Sequence, residues 1–140
     1  MATQDGDLTD GLFQLAFLLL ARLTRIAADH ELSIVQVRLL GILRDREPGM
    51  LELAGHLELE KSSLSGLVDR AEKRGLVERI PSTEDRRAAT IRVTARGRKL
   101  TRTIADAVRA EVAGLIEPLA AAEQDRLATL IWRVLVAERK

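Results

Sequence analysis

The sequence has no cysteine and no tyrosine, and only one tryptophan, two phenylalanines, two histidines and three prolines. Without cysteine there is no disulfide scaffold, no thiolate metal site and no thiol redox switch, which fits a reducing compartment. The two histidines, His30 and His56, stand too far apart in sequence to form a local metal or triad motif. No glycine-rich phosphate loop is present, and Ser65-Gly66 lacks the first glycine of a nucleophile elbow. The sequence therefore predicts no enzymatic activity, no metal and no cofactor. With 2% aromatic residues, stacking platforms for a planar ligand are few.

A basic leader is missing too. The start, MATQDGDLTDG, carries Asp5, Asp7 and Asp10 where a secretory signal needs positive charge. The most apolar run, LFQLAFLLLA, gives way to Arg22 and Arg25. It is about half the roughly 20 residues of a membrane span. These features predict a cytoplasmic protein with no membrane partner.

What is present suits one folded domain, 1–140: hydrophobic residues make up 46% of the chain and recur along nearly all of it, and charged residues make up 31%. The net charge of +1 conceals an asymmetry. From Lys61 to Lys99 there are eleven basic residues against five acidic, a balance of +6, which leaves −5 for the rest. A basic middle between acidic flanks fits a face that binds a polyanion; a merely solvated charged surface is the alternative.

Apolar spacing predicts a long helix over 8–29, striped by Leu12, Leu15, Ala16, Leu19, Leu23 and Ile26. Ser33 is placed to cap a second helix with Ile34, Val37, Leu40 and Leu43 inward, ended by Pro48-Gly49. A short helix, LELAGHL, precedes a longer one from about Glu60 to Arg74, closed by Gly75. LVERI and IRVT read as two strands joined by a charged loop. Thr94 is placed to cap a helix that Pro118 stops, and a last helix runs from about Ala120 to Glu138. The fold class is mainly α: a winged helix–turn–helix with a small β-hairpin wing over 34–94, flanked by helices over 8–29 and 95–138. A 22-residue helix is about 33 Å long, more than a small core covers. The flanking helices therefore predict a homodimer.

On a helical wheel Leu64, Leu67, Val68 and Ala71 fall on one side of the helix that ends at Arg74. Ser62, Ser65, Gly66, Asp69, Arg70 and Lys73 fall on or near the other. Small hydroxyl residues and a glycine allow close approach to base edges in the major groove, and Arg and Lys supply guanine or phosphate contacts. The expected DNA-binding residues here are Ser62, Ser63, Ser65, Gly66, Arg70 and Lys73, with Ser63, which is lateral, favoured as a capping residue. Asp69 would be repelled by DNA and is expected to orient a nearby arginine.

The stretch LELAGHLELEKSSLSGLVDRAEKRGLVERIPSTEDRRAATIRVTARG resembles the MarR-type (multiple antibiotic resistance regulator) transcriptional regulators. Leu53, Ala54 and Leu57 carry it in the first helix, V-D-R in the second, Gly75 to Arg79 at its exit, and Asp85 and Arg87 with Val93, Thr94 and Gly97 in and after the wing. The resemblance implies that Arg87 enters the minor groove, where a narrow groove strengthens the negative potential. It also implies that Asp85 braces the loop. Arg86 is expected to touch phosphate.

The resemblance further implies a homodimeric repressor that reads a pseudo-palindromic site in double-stranded DNA and is relieved by a small aromatic or anionic effector. Candidate effector-lining residues are Phe13, Phe17, Arg22, Arg25, His30 and Arg38. Two other functions stay open: a winged-helix protein-interaction module, which should carry apolar anchors on the outer face, and a non-specific DNA-binding protein.

Overall fold

In the computed structural model of the chain, residues 6–81 and 89–139 are described. The elements run α1 (Leu8–Asp29), α2 (Ile34–Leu43), α3 (Met50–Leu57), α4 (Lys61–Lys73), β1 (Val77–Pro81), β2 (Ala89–Val93), α5 (Ala95–Leu115) and α6 (Ala121–Glu138). The chain divides into two compact units, residues 1–106 and 107–140.

The first unit holds the core. Leu39, Leu40 and Leu43 of α2, Leu53 and Leu57 of α3, and Leu64, Leu67, Val68 and Ala71 of α4 are buried together with Val77, Ile91 and Val93 of the hairpin. At about 1.5–3 kcal/mol for each large apolar side chain, this cluster supplies the main drive for folding. The predicted inner face of α4 is buried at all four positions.

Local chemistry sets where the elements begin. Ser33 starts α2 through a capping box: its Oγ accepts from the Gln36 N–H at 3.2 Å, and Gln36 Oε1 accepts from the Ser33 N–H at 2.9 Å. Thr94 starts α5 as expected. Its hydroxyl donates to the Gly75 carbonyl at 2.6 Å and accepts from the Gly97 N–H at 3.0 Å. That double use takes Thr94 out of the strand, so β2 ends at Val93 rather than at Thr94. Gly97 is needed for close approach: a Cβ there would collide with the Leu76 carbonyl oxygen and come within 2.8 Å of Val93 Cγ2.

The two strands pair antiparallel, with Val77 opposite Val93, Arg79 opposite Ile91 and Pro81 opposite Ala89. Ile91 and Val93 point inward and Arg92 outward, the alternation predicted for IRVT. Pro48 and Gly49 add a short third edge: the Ile91 N–H donates to the Pro48 carbonyl at 2.9 Å, and Gly49 bridges Thr90.

The length argument against a membrane span needs correcting. The ten-residue run lies inside the 22-residue α1, whose mean hydropathy reaches 1.5 over eighteen residues. By length and composition alone that helix could cross a membrane. Within the chain α1 buries only Ile26 and Ala27, and Leu12, Phe13 and Phe17 stay exposed. In the second unit, α6 buries no residue and leaves Leu130, Ile131, Trp132, Val134, Leu135 and Val136 exposed. Its start is fixed by Glu123 Oε1, which accepts from the Ala120 N–H at 2.9 Å.

Candidate nucleic-acid interface

Helix α4 is preceded by α3 across a turn in which Glu58 takes a positive φ of 54°. Its N-cap is Glu60, whose side chain makes no capping bond. Ser62 and Ser63 therefore occupy the second and third helical positions, and the capping role favoured for Ser63 is not the one it has. Both serines are exposed, Ser65 and Gly66 are half-buried, and Arg70 and Lys73 are exposed. Six of the expected contact residues thus lie on one helix whose opposite face is anchored in the core. The Arg70 guanidinium folds back over Gly66, where a Cβ would come within 3.2 Å of its Nη1. Any side chain at position 66 would press on Arg70, so the glycine and the arginine form one surface.

Asp69, the acidic residue on this face, is occupied as expected. Arg79 of β1 donates through Nη2 to Asp69 Oδ1 at 2.7 Å and through Nη1 to Glu72 Oε1 at 2.7 Å. Its two arms grip carboxylates one helical turn apart. The hydrogen bond to Asp69 raises the Arg79 pKa above its ordinary value, aided by the charges of Asp69 and Glu72 and opposed by partial burial. The clamp ties β1 to α4. A second pair stiffens the hairpin: Arg92 donates to Glu78 Oε1 at 3.0 Å through Nε and 2.7 Å through Nη2. Asp85, Arg86 and Arg87 lie outside the described residues.

The six effector candidates are not gathered at one place. Phe13 and Phe17 are exposed on the first half of α1, about 25 Å and about 20 Å of helix before His30. Arg22 and Arg25 lie further along α1. Arg38 is turned toward α3, where it donates to the His56 carbonyl at 3.0 Å. His30 alone of the six lines an open cavity of about 400 Å³, together with Arg74, Leu76, Arg96, Lys99, Leu100 and Thr103. Arg74, Arg96 and Lys99 were missed because nothing in the local spacing links the ends of α1 and α4 to the start of α5. His56 is half-buried, with Nε2 3.2 Å from Arg46 Nη1 and 3.7 Å from Glu52 Oε1, a structural setting. Among the described residues no His, Asp or Glu cluster could hold a metal.

A buried apolar helix face, a small, hydroxyl-rich and basic outer face, and an adjoining two-stranded wing define a winged helix–turn–helix. A model of the MarR family matches residues 32–89. RV1404 from Mycobacterium tuberculosis is similar over 100% of this chain and 97% of its own, at 28% identity and a TM-score of 0.81. NadR, solved in complex with 4-hydroxyphenylacetate, is similar over 99% and 95%, at 26% identity and a TM-score of 0.74. MepR of S. aureus, solved in complex with DNA, shares the fold over 95% and 99%, at 16% identity and a TM-score of 0.74. The match to the MarR model covers the winged helix–turn–helix part of the chain, and the likeness to the solved structures extends over nearly all of it.

Proposed function

We propose that this chain is a cytoplasmic, homodimeric, sequence-specific repressor that reads a pseudo-palindromic DNA site and is released by a small anionic effector. The observation that carries the reading is the outer face of α4. Ser62, Ser65, Gly66, Arg70 and Lys73 are presented together, and the one acid among them, Asp69, is held by Arg79. Ser62, Ser65 and Gly66 suit base edges, Arg70 suits a guanine, and Lys73 suits phosphate. Ser63, on the flank, suits phosphate at the helix start. Arg87 at the wing tip would enter the minor groove, with Arg86 on phosphate and Asp85 bracing the loop.

The uncovered apolar residues of α1 and of α6 support the dimer, since a second copy is the simplest cover for them. The same cover keeps α1 out of a membrane. The cavity at His30 supports the effector: Arg96 and Lys99 would meet a carboxylate, and Leu76 and Leu100 would meet its apolar body. NadR binding 4-hydroxyphenylacetate is a precedent for that ligand chemistry in this fold.

The test is fluorescence anisotropy on the duplex upstream of the gene and on a scrambled duplex, over a salt series, with wild type and Arg87→Ala. The expected result is a preference for the upstream duplex that weakens in Arg87→Ala, with a shallower salt slope. No binding to either duplex at low salt would sink the DNA reading and favour a protein-interaction module. Equal binding to both would favour a non-specific DNA-binding protein.

A further inference from the structure

Helices α1 and α4 end alike. In α1 the Glu31 N–H donates to Ala28 and the Leu32 N–H to Ala27, both at 2.9 Å, with Glu31 at a φ of 58°. In α4 the Gly75 N–H donates to Glu72 at 2.9 Å and the Leu76 N–H to Ala71 at 3.0 Å, with Gly75 at a φ of 73°. Each is a Schellman turn that sends a leucine, Leu32 or Leu76, into the core. A positive φ is ordinary for Gly75 and uncommon for a glutamate. Just past the end of α1, the turn leaves the carbonyls of His30 and Glu31 facing one side chain. Arg74, the capping residue of α4, donates through Nη1 to the Glu31 carbonyl at 2.8 Å and through Nη2 to the His30 carbonyl at 3.1 Å.

We propose that Arg74 is a positioning residue for DNA binding: it bolts the end of the recognition helix to the end of α1 and so fixes the separation at which a dimer presents its two recognition helices. The inference rests on the dimeric reading above. A guanidinium at a helix C-terminus meets the negative end of the backbone dipole. Two parallel donors fix orientation as well as distance. The joined residues are more than forty positions apart in sequence, so the bonds are tertiary and not local. Among the described residues Arg74 has no carboxylate partner; its two side-chain bonds are to the turn that closes α1.

The consequence concerns spacing. Half-sites of a helix–turn–helix dimer lie about 34–36 Å apart. Inserting one base pair moves a half-site by about 3.4 Å and turns it by roughly a tenth of a circle. Only a recognition helix held firmly to the dimer helix rejects that change. A cap that merely stabilised the fold would lower affinity for every spacing alike.

The experiment uses the full chain. The probe is a duplex selected from a random library by the wild type, with versions carrying one or two base pairs added or removed at its centre. Wild type should bind the selected spacing about tenfold or more tighter than the altered ones. In Arg74→Ala that ratio should fall to about threefold or less, with an unchanged circular dichroism spectrum and dimer constant; Arg74→Lys, which keeps charge but loses the fork, should fall between. If Arg74→Ala fails to fold, Arg74→Gln carries the same comparison. A folded, dimeric Arg74→Ala with the wild-type ratio overturns the inference and leaves the dimer standing. A wild type that is monomeric or indifferent to spacing overturns the dimeric reading and this inference with it.

Discussion

Helix α4 holds Leu64, Leu67, Val68 and Ala71 at 3% exposure or less, whereas α1, with 22 residues to its 13, buries only Ile26 and Ala27. Both helices are amphipathic, and both were legible as such from residue spacing. They differ in who supplies the other side. The apolar face of α4 is completed by its own chain, from α3 and the first wing strand, which frees the outer face for small and basic residues. The apolar face of α1 is finished only where it reaches α2. The same periodicity thus marks a structural helix in one case and an unfinished surface in the other, and only the packing tells them apart.

That contrast can be broken or sharpened by substitution. The largest effect should come from Leu64→Ala, which empties a fully buried site and should cost about 2–5 kcal/mol of stability by denaturant unfolding. Phe17→Glu, on the open face of α1, should leave the monomer folded and weaken self-association about 100-fold, near 2.7 kcal/mol, by sedimentation across a dilution series. If Phe17→Glu unfolds the monomer instead, α1 is a core helix and the contrast fails. On the outer face of α4, Arg70→Ala should cost about 1–3 kcal/mol of specific binding and relax preference at one base position, with stability within about 0.5 kcal/mol of wild type.

Arg79→Ala should cost only about 1 kcal/mol of folding stability, because its partners are partly solvated, although they form a network. Its pKa is raised on folding, so its stabilising charge is fully present below the ordinary arginine range and is lost only as pH rises through the still higher folded value. The arginine charge in the clamp is therefore constant between about pH 6 and pH 10. A stability difference between wild type and Arg79→Ala that fell away on the alkaline side of that range would remove the clamp from the account.

Much of the architecture was legible because it is written in short-range chemistry. Ser33 with Gln36, Thr94 with Gly97, and the four inward positions of α4 each lie within one or two helical turns. The strand ends shifted because Thr94 serves the helix that follows, a choice made by its bond to Gly75. The role of Asp69 could be read from its sign, but its partner, Arg79, lies across the turn into β1. The effector candidates were dispersed by the fold because they were chosen by residue type along α1 and α2. The basic cavity instead draws on the ends of α1 and α4 and the first turns of α5. Arg74 was invisible for the same reason: its two acceptors are backbone carbonyls, which leave no mark on residue type.

The measurement that bears most directly on α4 as a DNA-reading helix is a hydroxyl-radical footprint of the wild type on a selected duplex. Two protected patches on one face of the duplex, about 10 base pairs apart and related by a two-fold axis, are the expected result. A single patch, or protection spread evenly along the duplex, would contradict it.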